Sequence, residues 1–339
     1  MTPPRFDALL PRFATLRAGV VGDFSLDRYF DINPARAESS IETHLPVHNV
    51  PHVRCQPGAA GNFTANLAAL GAAELHPVGY CGEDGEGFEL RRALARVPGL
   101  GLDHFHATSQ RVTFNYSKPL LHRVGRPPEE LSRLDLKDWT PPPPELEARL
   151  IASLRALAPR LDVLVVMDQA GVAGMGAITD GVLAAIAELQ AAQPQLIVIA
   201  DSRHGLGRFP PLVFKMNAAE FAALTGRAAT VDPAAIRTGA AALARRNGRP
   251  VFVTLAEQGM VGAAPDGTAH HVPALPVRGP IDVVGAGDTA TATLALALAA
   301  AATLPEAMTL AQAAASLVVH QLGTTGVATP AEMRQLLFP

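Results

Sequence analysis

Cysteine is almost missing from this chain: of 339 residues only Cys55 and Cys81 carry a thiol. Two thiols without regular spacing build neither a disulfide framework nor a thiolate metal site, so both are expected free in a reducing compartment. No run of Lys or Arg is present, and a formal charge of -3 with a pI near 6.4 supplies no field for a polyanion. A nucleic-acid partner is therefore excluded, and any anionic ligand must be held locally. The longest apolar stretch, Thr289 to Leu304, falls short of the ~20 residues that span a bilayer, so no membrane segment is expected. Met1 to Phe13 has no central apolar run of the secretory kind, which leaves a cytoplasmic location as the expectation. Neither G-x-x-x-x-G-K-[ST] nor the protein-kinase motif set occurs, so phosphate handling by those routes is out.

What is present is a composition of 48% hydrophobic and 17% charged residues, rich in Ala and Leu, which suits a helix-covered sheet in one large domain over residues 1–339. Short β-branched runs at 18–21, 75–80, 163–167, 196–200, 212–216 and 251–254 predict strands. Between them lie helical patterns at 62–70, 87–96, 179–192, 217–224, 233–247, 288–302 and 305–321. Apolar, non-alternating strands separated by helices predict a mostly parallel sheet covered on both faces. Two stretches break the rhythm, 31–54 and 109–123, and these predict a small β-lid at one edge. The prolines at 141–144 predict a stiff connector into a helix around 146–157.

The most specific local feature is Ile281-Asp282-Val283-Val284-Gly285-Ala286-Gly287-Asp288-Thr289, a turn of small residues directly before a long apolar helix. Small side chains let a ligand reach the backbone, and the first amides of the helix carry the positive end of its dipole. Asp288 beside such an anion site is placed to take a proton from an attacking hydroxyl; it is equally placed to cap the helix. Four further segments carry polar groups at strand ends. Val20 to Tyr29 puts Asp23 and Asp27 after the first strand; Arg54 to Asn66 runs through Gly58, Ala59 and Asn62; Lys215 to Glu220 opens a helix with Asn217 and Glu220; Val253 to Met260 contains Thr254, Glu257 and Gly259.

In this order the segments resemble those of the PfkB, or ribokinase-like, carbohydrate kinases. The turn before Asp288 is similar to the family's D-T-x-G-A-G-D, with Val283 in place of Thr, and residues 58–66 are similar to G-G-x-x-x-N-x-A, with Ala59 in place of the second Gly. The resemblance implies a three-layer α/β sandwich with a β-lid, and ATP-dependent phosphorylation of a sugar or sugar-phosphate hydroxyl. Asp288 would be the base and Gly285, Ala286 and Gly287 the anion hole. Asp27, Asp23, Gly58, Ala59, Asn62 and Lys118 would hold the acceptor. It further implies Asn217 and Glu220 acting through water on Mg²⁺, with Asp201 assisting. Thr254, Glu257 and Gly259 would lie along ATP, Gln312 near the adenine where Asn is frequent, and Asp282 at a monovalent cation such as K⁺. Gly22-Asp23, 26–29, 57–58, 257–260 and 322–324 are most similar to the branch acting on heptose 7-phosphate. Fructose phosphate or a nucleoside are the competing acceptors, a catalytically silent sugar or nucleotide sensor is the rival from another class, and pairing of lids implies a homodimer.

Other groups carry less. Gly171 to Gly176 matches a dinucleotide loop only in glycine count, and His44, His48, His52, His104 and His106 read as lid or surface residues rather than a zinc site. Lys118 and Arg133 are candidates for a second phosphate on the acceptor.

Overall fold

A computed structural model describes residues 1–339. In chain order the elements begin with α1 (Pro3–Leu9), β1 (Arg17–Gly22), β2 (Phe24–Ile32), β3 (Glu38–Ser39), β4 (Pro46–Val47), β5 (His52–Ala59) and α2 (Ala60–Ala69). The middle of the chain forms β6 (Glu74–Gly82), α3 (Gly85–Leu94), β7 (Phe105–Thr108), β8 (Phe114–Leu121), β9 (Glu129–Glu130), β10 (Leu134–Leu136), α4 (Pro144–Leu157), β11 (Val163–Asp168) and α5 (Asp180–Ala192). There follow β12 (Ile197–Ser202), β13 (Val213–Asn217), α6 (Ala218–Thr225), α7 (Pro233–Asn247), β14 (Val251–Thr254), β15 (Met260–Ala263), β16 (Ala269–Val272), α8 (Ala286–Ala299), α9 (Leu304–Val318) and α10 (Pro330–Leu337).

The main sheet has nine strands in the order β16-β15-β14-β13-β12-β11-β1-β6-β7. Seven run parallel; β15 and β16 close one edge antiparallel. Burial explains why the strands read as unbroken apolar runs. In β11, Val163, Val165 and Met167 face one buried cluster with α2, α8 and α9, while Leu164 and Val166 face a second with α4, α5 and α7. Each strand thus serves two cores, and the alternation vanishes from the sequence.

The second sheet, order β10-β8-β2-β5 with β9 beside β8, is larger than the lid expected at 31–54 and 109–123. Its long strand β2 starts at Phe24 and its last strand ends at Leu136. The boundary lay hidden because β2 continues almost directly from β1 and is apolar where it leaves the body: Phe24 and Leu26 are buried. Within 109–123 there is one strand, β8, and it is buried: its polar residues Asn115, Ser117 and Lys118 are covered. Helices α1 and α10 were not anticipated, since both are short and have few buried residues to mark a period.

Candidate active site

Helix α8 begins at the end of the loop from β16, over the carboxyl ends of the central strands. Gly285 is its N-cap residue at φ 84, a left-handed conformation that glycine adopts without penalty, and no side chain caps the helix. The first-turn amides of Gly287 and Asp288 therefore keep the free donors that every helix start leaves. Asp288, at the third helical position, does not cap: its Oδ2 accepts from Asn62 Nδ2 at 2.9 Å. One turn along α2, Asn66 Oδ1 accepts from the Thr289 hydroxyl at 2.8 Å. Two adjacent rungs thus lock α2 to the start of α8. Burial, then the charge of Asp201, push the Asp288 carboxyl up to about 6, against the opposing pull of Asn62, Lys215 and Arg203.

On β2, Asp27 Oδ2 accepts from Lys118 Nζ at 2.6 Å, and Lys118 also donates to the Tyr29 hydroxyl. The other oxygen, Oδ1, lies where a Cβ on Gly58 would stand, and Ser25 Oγ crowds the same space, so only glycine fits across from this carboxylate. Ser25 Oγ is buried without a hydrogen-bond partner. Register pairs Asp27 with Gln56 and with Tyr116, so these residues share one face of the lid. That face looks onto the site, because Gln56 hydrogen-bonds Thr324 and Thr325 and Thr325 packs on Gly285. Farther along it, Arg133 and Lys137 both lie over the Tyr116 ring and share the single carboxylate of Asp135.

Four expected residues are engaged within the protein itself. Asp23 is buried and its carboxylate accepts the backbone amides of Gln169, Ala170 and Ala177 at 2.6 to 2.7 Å. Burial and the neighbouring Asp168 raise it to about 6. It ties the loop after β11 to the end of β1 and offers nothing to a substrate. Asn62 gives one amide N–H to Asp288, which leaves its second N–H and its Oδ1 free. Asn217 and Glu220 close a reciprocal capping box on α6 at 2.9 and 2.7 Å, which leaves one Glu220 oxygen and the Asn217 amide nitrogen free.

The remaining residues lie around the same strand ends. Thr254, at the end of β14, is the register partner of Asn217. Gly259, at φ 93, passes so close to the backbone of Val272 that a Cβ would overlap it, while Glu257 is exposed on the preceding turn. Gln312 is half-buried on α9, and Asp282 Oδ1 accepts the Val284 amide within its own loop. No three His, Cys, Asp or Glu side chains converge as a metal cage. A hard cation that keeps most of its waters needs no such cage, and the free Glu220 oxygen fits that mode.

Residues 210–331 match the pfkB family carbohydrate kinase model. The chain is 35% identical to the Bifunctional protein HldE of Azorhizobium caulinodans over 94% of its own length and 64% of that protein's. It is 36% identical to the HldE of Methylococcus capsulatus, over 96% of this chain and again 64% of the relative. This chain belongs to the pfkB carbohydrate kinase family. It spans about two thirds of those relatives at most, so their whole activity is not carried over. The ribokinase-like fold of the family is evident in solved structures: Escherichia coli phosphofructokinase-2 in complex with potassium superposes with a TM-score of 0.71 at 18% identity, covering 95% of this chain and 98% of that one. Arabidopsis thaliana ribokinase complexed with ribose and ATP gives 0.67 at 19%, covering 96% and 99%.

One buried charge escaped the reading of the sequence. Lys215, within the Asn217 segment, is buried on β13, and its Nζ donates to Asp201 Oδ2 at 2.8 Å. Its only sequence signal is a lysine in an otherwise apolar strand, which without the fold does not say what it faces.

Proposed function

We propose that the chain transfers the terminal phosphate of ATP to a hydroxyl of a sugar phosphate, with heptose 7-phosphate the first acceptor to try. The observation that carries this reading is Asp288: a carboxylate raised to about 6, half-buried beside the uncapped first turn of α8. Such a group is ionised at neutral pH yet basic enough to take the hydroxyl proton as the oxygen attacks phosphorus. In the turn Gly285-Ala286-Gly287, the free amides of Gly287 and the following Asp288 would stabilise the charge that gathers on the transferring group, so that positioning and electrostatics supply the catalysis.

ATP would lie over β13, β14 and α9, past Thr254, Glu257, Gly259 and Gln312. Asn217 and Glu220 would hold Mg²⁺ through water; when bound, the ion neutralises phosphate charge. Asp282 would serve a monovalent cation. Hydroxyls of the acceptor would meet Asp27 and the backbone at Gly58 and Ala59. A phosphate on the acceptor would meet the cations of the lid's inner face, Arg54, Lys118, Arg133 and Lys137, of which Arg133 and Lys137 share the one carboxylate of Asp135.

A panel of heptose 7-phosphate, fructose phosphates, simple sugars and nucleosides, read by ADP release, tests the acceptor. In Asp288→Asn, turnover should fall by about 10² to 10⁴ while ATP still binds. Near-normal turnover would remove Asp288 from its role, and thermal stabilisation by a sugar without any ADP would point to a sensor.

A further inference from the structure

One cation beside the candidate base has no partner in the protein. Arg203 follows directly on β12, its side chain is exposed, and its guanidinium makes neither a hydrogen bond nor an ion pair. Its backbone is nevertheless fixed. The Arg203 amide donates to the Asp168 carbonyl at 3.0 Å, the Ser202 hydroxyl donates to Asp168 Oδ2 at 3.0 Å, and the His204 ring meets the Ala170 carbonyl. Strands β12 and β13 run parallel with Ile199 beside Val213 and Ala200 beside Phe214, and the Asp201–Lys215 pair at 2.8 Å carries that register forward. Continuing it sets Arg203 beside Asn217, at the amino end of α6 where Glu220 keeps a free oxygen.

The same strand end is tied to the anion turn. Asp201 Oδ2, which receives Lys215, also accepts from the Thr291 hydroxyl of α8 at 3.1 Å, and Lys215 Nζ lies 3.1 Å from the place a Cβ on Gly287 would take. Arg203 thus leaves the sheet between the free amides of α8 and the capping box of α6. Burial raises the carboxyls of both Asp288 and Glu220, and the charges of Lys215 and then Arg203 oppose it at each. Of these two cations Lys215 is committed to Asp201. Arg203 is free, because Asp288 turns to Asn62 and Glu220 to the Asn217 amide. A guanidinium is always charged and carries five N–H donors in a planar fork that matches phosphate oxygens.

We propose that Arg203 is a catalytic residue of the phosphotransfer, closing its guanidinium over the γ-phosphoryl group from the side opposite the amides of α8. This rests on the kinase reading above. In the step, the acceptor oxygen bonds to the γ-phosphorus and its proton passes to Asp288. The bond from that phosphorus to the β–γ bridging oxygen breaks, and ADP leaves with the electron pair. Arg203 keeps its protons and supplies charge and hydrogen bonds to the γ-oxygens.

The test compares wild type with Arg203→Met and Arg203→Lys. An exposed side chain without partners can be replaced at little cost to the fold, so both variants should keep the wild-type melting temperature. Calorimetry of Arg203→Met with Mg²⁺ and the non-hydrolysable β,γ-imido analogue of ATP should show binding weaker by roughly tenfold, with AMP unchanged. Turnover, read as ADP release with the acceptor found active in the panel, should fall on the order of 10²-fold. Arg203→Lys, which keeps the charge and loses the fork, should recover part of that loss. The acid limb of kcat should move to higher pH in Arg203→Met, since the guanidinium lowers the pKa of Asp288. Wild-type turnover and triphosphate affinity in Arg203→Met would overturn the assignment, as would an equal loss of AMP. A wild-type protein that binds no ATP overturns the kinase reading instead.

Discussion

The base and its partner make one titrating unit. Asn62 donates to the charged form of Asp288, which lowers a pKa that burial has raised to about 6. Turnover needs the deprotonated carboxylate, so activity should fall as pH drops through that value. In Asn62→Leu the donor is lost and the carboxyl rises further, so the half-activity point on the acid side should move up by about one pH unit. A pH profile of kcat that does not move would show that Asn62 serves packing alone. Asp288 was legible in the sequence because its neighbours form a recognisable turn. Its dependence on Asn62, 226 positions away, was not, since no local pattern records which helices lie side by side.

At the scale of elements, the junction from β5 into α2 is the telling one. Ala59 is the N-cap residue of α2 at φ 52 and ψ -120, buried, in a region that L side chains rarely adopt. This is the physical reason for a second glycine in the related motif, and alanine here holds the conformation at a cost of about 1 to 3 kcal/mol. Glycine would relieve that strain while losing more entropy on folding, about 0.5 to 1 kcal/mol. Ala59→Gly should therefore stabilise the protein by about 1 kcal/mol, seen as a higher urea midpoint; a lower midpoint would mean that the methyl group's packing outweighs the strain. The same junction separates what was readable from what was not. The helical period of α2 and the glycine at 58 stood out in the sequence, whereas the carboxylate of Asp27 lying over Gly58 emerges only from β2–β5 register.

For the molecule as a whole, the lid has two unlike faces. Along β2, β5, β8 and β10 the inner face is polar and charged, while Val53, Leu134 and Leu136 point outward, 47%, 67% and 41% exposed. Ile41 and Leu45, between β3 and β4, are exposed apolar residues as well. We propose that two lids pair through these faces in a homodimer with a two-fold axis. Light scattering should give about twice 35.4 kDa, and Val53→Asp combined with Leu134→Asp should halve it. A monomer at micromolar concentration would refute the pairing. No helix is long and apolar enough to cross a membrane.

The sequence by itself determined the layered α/β architecture, through strands apolar on both faces, and the turn that exposes the amides before Asp288. Both are local consequences of side-chain size and period. Tertiary structure alone decided which polar groups face the reaction and which are consumed in holding the frame. Asp23 and Asp27 lie four residues apart on one strand connection, yet three backbone amides claim the first and Lys118 of the lid pairs with the second. Lys215 acquires its place only because β12, β13 and α8 converge beneath one glycine. A buried charge is defined by its neighbours, and those neighbours come from segments 14 to 76 residues away in the chain.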